Sequence, residues 1–310
     1  MFDVACIGGI VQDIILFTDK EKIVNSHDVL AKQLFCLESG AKFYLKECYF
    51  TPGGGAANIA VGLSRLGLKA TIVGRVGNDE FAKDILKQLK KQKVDLSFIQ
   101  KDENQKTGFS FILSSKQTGE QIIFSFRGAN NNLKVPSKGI KAKWFVVSSL
   151  SFSNWQKIFN FVLRQKKPIL WNPGFVQFSS NLPIFLKFID KVQIFVVNED
   201  EAREIVFRTT KKKNLSIKEV LKIINSLGPN IVVITQGSKG ARAFDGKNFY
   251  HCPAKKIKVV QSTGAGDAFI SGFLAEYIKK ACIYRALKKG IVNSGAVLSK
   301  IGAQNGLLKK

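Results

Sequence analysis

Short apolar runs of strand length alternate with longer segments of helical periodicity along most of this 310-residue chain. The runs lack polar alternation, so each is typical of a strand that is buried on both faces of a sheet. Alternating strands and helices predict an α/β architecture, a mainly parallel sheet covered by helices on both faces. The predicted strands are residues 4–8, 70–73, 144–148, 169–171, 194–197 and 231–235. The predicted helices are residues 56–66, 79–91, 153–164, 199–207 and 217–226.

Three further extended segments interrupt this alternation. Residues 108–127 contain two apolar runs around a Gln-Thr-Gly-Glu turn and predict a β-hairpin, while residues 10–17 and 42–51 predict additional strands. Residues 18–40 form a long connection to which the sequence assigns no role. The length of the chain fits a single large domain over residues 1–310, because a chain of this size can bury one large core.

Composition excludes several classes of protein. Apolar residues make up 45% of the chain, which excludes disorder. No apolar run reaches the length of a membrane span, and the N-terminus lacks the basic region of a signal peptide. The odd number of cysteines, without C-x-x-C spacing, favours reduced thiols and a cytoplasmic location over disulfides or a zinc site. The five cysteines are Cys6, Cys36, Cys48, Cys252 and Cys282.

The formal net charge is +25 at pH 7, which can indicate a nucleic-acid-binding protein. The lysines, however, are spread over predicted helices and turns, without a patch interleaved with aromatic residues. A solvated basic surface is therefore the preferred interpretation, and neither nucleic acid nor a membrane is an expected partner. Attraction of anionic substrates would be a secondary effect of the charge.

A glycine-broken turn, Gln-Ser-Thr-Gly-Ala-Gly-Asp over residues 261–267, directly precedes an apolar segment with helical spacing. The pattern predicts that Gly264, Ala265 and Gly266 lie at a helix N-terminus, where unpaired N–H groups and the helix dipole favour a phosphate. Asp267 adds a carboxylate to this anion-binding turn. Such an acid would accept the proton of a hydroxyl group that attacks the phosphate. An ordinary capped helix is the alternative interpretation.

A second glycine turn occurs in the N-terminal part of the chain. Residues 53–67 read Gly-Gly-Gly-Ala-Ala-Asn-Ile-Ala-Val-Gly-Leu-Ser-Arg-Leu-Gly, a turn followed by an apolar helix with Asn58 in its first turn. A short strand and another turn follow, in which Asn78 or Asp79 caps the next helix. Two glycine-rich junctions between strand and helix suggest that one holds phosphates and the other holds the acceptor.

Together the two motifs resemble the two signatures of the ribokinase-like (PfkB-type) carbohydrate kinases, and the similarity extends from Val4 to about Gln304. The residues that carry the resemblance are Gly53-Gly-Gly-x-x-Asn58, Arg65-Leu-Gly67, Gly74-x-Val-Gly77-x-Asp79 and Ser262-Thr-Gly-Ala-Gly-Asp267. The resemblance implies a three-layer sandwich with a small β-sheet lid formed by residues 10–17, 42–51 and 108–127. It also implies ATP-dependent phosphorylation of a sugar hydroxyl group, a lid that covers the acceptor, and a homodimer formed through the lid.

The resemblance also assigns residues to the acceptor side of the site. Asp13, just beyond the first strand, would accept hydrogen bonds from sugar hydroxyl groups, and Gly54 and Asn58 would contact the acceptor as well. From the sequence alone, Asp13 is equally well explained as a turn or cap residue. Arg127 ends the predicted hairpin and would reach the acceptor or a phosphate, with a solvated arginine as the equal alternative.

On the nucleotide side, the resemblance implies that an Asn-x-x-Glu motif organises Mg²⁺ and phosphate, largely through water. Asn198 and Glu201 form this motif at the start of a predicted helix, and hard oxygen ligands suit Mg²⁺. A capping box is the structural alternative. The resemblance further implies that ATP contacts the anion-binding turn and the loop after the last parallel strand. It also implies that the adenine of ATP contacts the last helix. The residues implied for these contacts are Thr235, Gly237, Gly240, Thr263 and Asn293.

Gln261 departs from the family pattern. The family often has an aspartate at this position, which helps to hold a monovalent-cation loop beside the anion hole. Glutamine removes that charge and puts the implied K⁺ in doubt, although Gly302-Ala-Gln304 resembles the other wall of the loop. The only histidines, His27 and His251, have no evident partners in the sequence, which disfavours a histidine relay and favours Asp267 as the base.

Several alternatives stay open. Ribose, a ketohexose or its phosphate, a 2-keto-3-deoxy acid and a nucleoside all fit as acceptors. A Rossmann-type oxidoreductase is disfavoured because the chain lacks a strand–G-x-G-x-x-G–helix unit. A catalytically inactive binding protein is opposed by the intact Gly-Ala-Gly-Asp sequence that ends at Asp267.

Overall fold

The computed structural model of the protein describes residues 1–25, 33–45, 47–117, 119, 121–151 and 155–310. Within these ranges the strands are β1 (Phe2–Ile7), β2 (Val11–Thr18), β3 (Lys22–Asn25), β4 (Gln33–Cys36), β5 (Cys48–Gly53), β6 (Ala70–Gly77), β7 (Asp95–Asp102), β8 (Gly108–Ser115), β9 (Gln121–Phe126), β10 (Ala142–Val147), β11 (Ile169–Trp171), β12 (Ile194–Asn198), β13 (Ile231–Thr235), β14 (Ala241–Phe244) and β15 (Phe249–Cys252). The helices are α1 (Gly55–Arg65), α2 (Glu80–Lys91), α3 (Trp155–Arg164), α4 (Phe175–Ser180), α5 (Leu182–Ile189), α6 (Glu199–Thr210), α7 (Ile217–Ser226), α8 (Ala265–Lys280) and α9 (Ile283–Leu298).

The central sheet has the strand order β15-β14-β13-β12-β11-β10-β1-β6-β7. All neighbouring pairs from β13 to β7 are parallel, and the pairs β13–β14 and β14–β15 at one edge are antiparallel. The prediction of a mainly parallel sheet is therefore confirmed. Strand β1 lies in the middle of the sheet, between β10 and β6. The chain adds β6 and β7 on one side of β1 and later adds β10 to β15 on the other side. The strand ends at such a point frame a crevice that can receive a ligand.

The apolar runs form strands because side chains on both faces of the sheet are buried. In β1, Val4 and Cys6 join a core with α1, α2, α8 and α9, while Ala5 and Ile7 join a core with α3, α5, α6 and α7. Alternate side chains of a strand point to opposite faces, so two hydrophobic cores require a strand that is apolar at every position. The predicted three layers correspond to these two cores and the sheet between them.

The helices begin and end close to their predicted positions. α2 starts after Asp79, whose carboxylate accepts a hydrogen bond from the Ala82 amide at 2.9 Å, so that Asp79 and not Asn78 is the N-cap. α6 continues to Thr210, beyond the predicted end at residue 207. The described part of α3 begins at Trp155, and residues 153–154 of the predicted helix lie outside the described residues.

The sequence did not predict β7, the edge strand that pairs in parallel with β6. Its residues, Asp-Leu-Ser-Phe-Ile-Gln-Lys-Asp, are mostly only partly buried. An edge strand with a solvated side lacks the continuous apolar run that reveals a central strand.

A second sheet has the strand order β5-β2-β8-β9, and we call it the lid sheet. β2 pairs in parallel with β8, whereas β5 and β9 are antiparallel to their neighbours. The strand predicted at residues 42–51 was placed too early, since β5 pairs with β2 only from Cys48 onward and residues 41–45 are exposed. In the unassigned connection 18–40, β3 and β4 form a two-stranded ribbon, and residues 26–32 lie outside the described residues. None of the helices in the described ranges combines the length and the apolar character needed to cross a membrane.

Candidate active site

The glycine-broken turn of residues 261–267 leads into the N-terminus of α8, as predicted. Gly264 is the N-cap with a φ of 76°, and a side chain there would overlap Ala303. The first turn of the helix leaves the amides of Ala265, Gly266 and Asp267 without an intrahelical acceptor, although that of Ala265 makes a long hydrogen bond of 3.3 Å within the turn. A Cβ at Gly266 would meet no heavy atom within 4 Å, so the open side of the turn lies at Gly266.

The carboxylate of Asp267 lies in this first turn and is held by a chain of two amide side chains. Asn58 Nδ2 donates to Asp267 Oδ2 at 2.8 Å, and Asn58 Oδ1 accepts a hydrogen bond from Gln304 Nε2 at 2.9 Å. Burial raises the pKa of Asp267 to about 6, against the lowering effect of the Asn58 hydrogen bond. Such a carboxylate is largely ionised at neutral pH and accepts a proton more readily than a solvated aspartate, which suits a general base.

Asp13, the second predicted acid, is only 3% exposed on β2. Burial raises the pKa of Asp13 to about 7, a hydrogen bond with Ser110 opposes the shift, and the charge of Asp267 adds to it. A Cβ at Gly53 would overlap the Asp13 carboxylate, so this carboxylate packs directly on the start of the triple-glycine turn. The two predicted carboxylates therefore interact within one site, as a proton acceptor and an orienting group require.

At each of the other two positions of the triple-glycine turn, a different contact explains why the residue is glycine. Gly54 is the N-cap of α1 with a φ of 94°, and a side chain there would overlap the Gly9 carbonyl group. A Cβ at Gly55 would lie 3.0 Å from Ser148 Oγ and 3.5 Å from Asp267 Oδ1. The glycines thus allow the start of α1 to pack against the ends of β1 and β10 and beside Asp267.

Two residues predicted to contact ligands have their polar atoms engaged inside the protein. Asn58, predicted to contact the acceptor, is 3% exposed and bonds to Asp267 and Gln304. Asn293, predicted to contact adenine, is fully buried; its Nδ2 donates to the Ala268 carbonyl and Ser271 Oγ, and its Oδ1 accepts from the Leu308 amide. The structure therefore corrects the role of Asn293, because no part of its amide is left for the adenine edge.

Arg127 lies at the junction of the lid sheet and the central sheet and is partly buried. Its Nη2 donates to Ser149 Oγ at 3.5 Å, and burial lowers the pKa of the guanidinium group. It makes no ion pair with a carboxylate of the described chain. A guanidinium group without a strong partner remains available for a hydroxyl or anionic group of a ligand.

Asn198 and Glu201, which were predicted to organise Mg²⁺ and phosphate, form the capping box of α6. The Asn198 amide donates to Glu201 Oε2 at 2.9 Å, and the Glu201 amide donates to Asn198 Oδ1 at 2.8 Å. Burial raises the pKa of Glu201. The described residues contain no group of three or more His, Cys, Asp or Glu side chains that could form a dedicated metal centre. A single carboxylate still fits Mg²⁺, which keeps several waters and needs few protein ligands.

The loop after β13 lies next to this capping box, because Thr235 pairs with Asn198 across neighbouring parallel strands. Gly237 has a φ of 54° and open space at its Cβ position, while a side chain at Gly240 would overlap the Cys252 carbonyl group. Gly237 therefore presents exposed backbone, whereas Gly240 is required for the turn itself.

Three polar side-chain contacts at the site were not predicted. Gln304 orients Asn58, Ser148 lies beside Gly55, and Gln121 of the lid sheet accepts a hydrogen bond from Thr263 Oγ1 at 3.0 Å. Each makes its contact across a large sequence separation, so no local motif indicates it.

Comparisons with known proteins identify the family. The profile of the pfkB family carbohydrate kinases matches residues 1–310. A cytidine kinase of Thermococcus kodakarensis is 27% identical over 266 residues, which cover 81% of this chain and 89% of the relative. A ribokinase of Lactococcus lactis is 28% identical and covers 100% of this chain and 95% of the relative. The structure of Arabidopsis thaliana ribokinase complexed with ribose and ATP has the same fold, with a TM-score of 0.78, 20% identity and coverage of 99% of this chain and 96% of that one.

Because the family profile spans every residue of the chain, the protein belongs to the pfkB family of carbohydrate kinases, phosphotransferases that act on hydroxyl groups.

Proposed function

We propose that the protein transfers the γ-phosphoryl group of ATP to a hydroxyl group of a sugar, with Asp267 as the general base. The observation that carries this proposal is a carboxylate of raised pKa in the first turn of α8, beside amides that have no intrahelical acceptor. The Arabidopsis ribokinase complexed with ribose and ATP supports the choice of donor and acceptor.

In the proposed reaction, Asp267 takes the proton of the acceptor hydroxyl group while the hydroxyl oxygen bonds to the γ-phosphorus. The bond from phosphorus to the bridging oxygen breaks, and ADP leaves. Because Asn58 holds Oδ2 of Asp267, Oδ1 is the oxygen left to receive the proton. The amides of Gly264, Ala265 and Gly266, at the positive end of the α8 dipole, stabilise the charge on the phosphoryl oxygens.

Mg²⁺ and the nucleotide would lie at the carboxyl ends of β12 and β13. Glu201 and Asn198 would hold the ion, largely through water, and the bound ion neutralises charge on the phosphates. The proposed nucleotide contacts are Thr235, Gly237, Gly240 and Thr263.

Asp13, Gly54 and Arg127 would orient the acceptor. With a pKa of about 7, Asp13 can accept or donate a hydrogen bond to a sugar hydroxyl group near neutral pH. A nucleoside is the alternative acceptor, which the similarity to a cytidine kinase supports. The ribose hydroxyl groups of a nucleoside would use the same Asp13 contact.

The first test is an assay of ADP release with ATP and Mg²⁺ across a panel of acceptors. The panel contains ribose, fructose, fructose 6-phosphate, 2-keto-3-deoxygluconate, adenosine and cytidine. Acceptor-dependent ADP release supports the proposal and identifies the substrate. If ATP and an acceptor bind without ADP release, the protein is a catalytically inactive binding protein and the proposal is wrong.

Replacement of Gln304 by leucine is expected to reduce kcat/KM roughly 10-fold, the equivalent of about one hydrogen bond. Without the Nε2 donor, the Asn58 amide is no longer fixed and supports the ionised form of Asp267 less well. The pKa on the acid limb of the pH–rate profile should therefore rise. A purely structural role of Gln304 would change the melting temperature without moving this pKa.

We also propose a homodimer formed through the lid sheet. One face of this sheet carries a continuous row of apolar side chains across four strands, in which Phe50 pairs with Ile14, Ile14 with Phe111, and Phe111 with Phe124. Phe50 and Phe124 are each 58% exposed. A contiguous exposed apolar face of this kind favours association with another surface.

The double variant Phe50→Ser, Phe124→Ser is expected to sediment as a monomer, whereas the wild type sediments as a dimer, because the substitutions remove apolar area from both edges of the face. Analytical ultracentrifugation measures both masses. A matched control is Phe175→Ser, which replaces a phenylalanine of 62% exposure on α4, outside the lid sheet. A monomeric wild type would show that this interface is wrong.

A cytoplasmic location completes the proposal. The five cysteines are all unpaired in the structure, which suits a reducing compartment that also supplies ATP. Cell fractionation of the tagged protein would test it. Neither nucleic acid nor a membrane is a proposed partner.

A further inference from the structure

The side chain of Gln261 joins two segments that build the active site. It is 2% exposed and directly precedes the anion-binding turn, and its Oε1 accepts a hydrogen bond from the Gly302 amide at 2.7 Å. The amides of Val260 and Gln261 also donate to the Leu298 carbonyl at the end of α9. The turn formed by residues 299–306 is thus tied to the start of the anion hole.

The same turn also supports the base. Gln304 Nε2 donates to Asn58, which in turn donates to Asp267, and Ala303 packs where a side chain at Gly264 would lie. The position of the 299–306 turn therefore affects both the anion hole and the proton acceptor. A group that fixes this turn is required for a preorganised site.

The atoms around Gln261 do not fit a monovalent cation. Oε1 is already engaged by Gly302, and the buried Nε2 has no hydrogen-bond partner among the described residues. An amide NH₂ group is a donor with positive hydrogens, so it repels a cation, whereas K⁺ requires oxygen ligands. Thr51 Oγ1, the neighbouring hydroxyl against Gly302, is buried and equally without a partner in the described chain.

We propose that the Gln261 carboxamide takes the place of a monovalent cation, linking the two walls of the loop directly, so that the protein needs no K⁺ for activity. This inference rests on the proposed function, since it concerns the same anion hole. The neutral amide supplies the acceptor that binds the Gly302 amide, and its buried NH₂ group offers N–H donors where a cation would need oxygen ligands. Isosteric replacement by glutamate keeps the Gly302 contact and exchanges the NH₂ group for a negatively charged oxygen. Gln261→Glu is therefore expected to create a cation site.

The test compares wild type and Gln261→Glu in KCl and in choline chloride at equal ionic strength. For the wild type, kcat/KM in the two salts should agree within about twofold, and the melting temperature should agree within error. Salts of equal ionic strength screen exposed charges to the same extent, and the wild type should bind neither cation specifically. For Gln261→Glu, KCl should raise the melting temperature in a saturable way and restore activity lost in choline chloride. Gln88→Glu on the exposed face of α2 adds the same charge and should show no selectivity for K⁺.

Gln261→Met removes both polar atoms of the side chain, and its activity should fall equally in the two salts. This variant replaces Gln261→Glu in the test if the glutamate variant does not fold.

Two outcomes separate the inference from the proposed function. A saturable rise of wild-type activity or melting temperature in KCl would overturn the inference and leave the kinase proposal intact. If no acceptor is phosphorylated by the wild type, the proposed function fails, whereas K⁺-dependent melting of Gln261→Glu still supports the inference about the loop.

Discussion

Replacement of Asp267 by asparagine is expected to reduce kcat by about 10²–10⁴-fold, the usual contribution of a general base. Asparagine has nearly the same shape and can still accept the hydrogen bond from Asn58, but it cannot take the proton of the acceptor hydroxyl group. ATP should bind with nearly unchanged affinity, because its proposed contacts are backbone amides and the loop after β13. Steady-state kinetics and calorimetric titration with ATP measure the two quantities.

Asp19→Asn is the matched control, since Asp19 is an exposed aspartate just after β2 and its replacement makes the same change of charge. It should retain wild-type kcat. Near-wild-type turnover of Asp267→Asn would remove the proposed mechanism, because in the described residues no other acid has been placed at the N-terminus of α8.

The same variant should be more stable than the wild type at neutral pH. The pKa of Asp267 is about 6 in the folded protein against an ordinary 3.8, so the folded state binds this proton more tightly than the unfolded state. The stabilisation is fully present below pH about 4 and is lost as the pH rises through about 6, a difference on the order of 3 kcal/mol. Asparagine does not titrate, so the gain in melting temperature of the variant should shrink as the pH falls toward 4.

Local patterns predicted the elements whose residues are constrained by their near neighbours. The apolar runs of β1 and β13 and the glycines before α8 fix strands and a helix start through short-range geometry, and the structure has them where they were expected. The edge strand β7 was missed because its solvated side interrupts the apolar pattern. The strand at residues 42–51 was shifted because its pairing with β2, not its own composition, determines where it begins.

The site followed the same division. Asp267 was proposed from a contiguous motif and Asp13 from the resemblance to the family, and the structure brings the two carboxylates close enough to interact. Gln304 and Ser148 act through contacts with residues far away in the sequence, and a single chain without its fold does not show such contacts. Asn293 was misassigned for the corresponding reason: a polar residue on an amphipathic helix can face a ligand or form hydrogen bonds inside the protein, and only its partners decide between the two.

The substitutions Gly264→Ala and Gly266→Ala are expected to change the free energy of unfolding in opposite directions, although only one residue separates the two positions. At Gly264 the left-handed φ of 76° and the overlap with Ala303 should together cost roughly 2–5 kcal/mol. At Gly266 the added methyl group meets no heavy atom, and alanine in place of glycine within a helix should stabilise the protein by about 0.5–1 kcal/mol. Denaturant unfolding of both variants measures the difference.

Activity should fall in both variants, for different reasons. Gly264→Ala should displace the whole turn, whereas Gly266→Ala keeps the turn and places a methyl group on its open side, where the proposed mechanism brings the phosphoryl oxygens to the amides. A more stable but much less active Gly266→Ala protein is the result that separates an anion hole from an ordinary helix start. An alanine at this position with unchanged turnover would mean that no group of the substrate approaches Gly266, and the phosphoryl group would then have to be bound elsewhere.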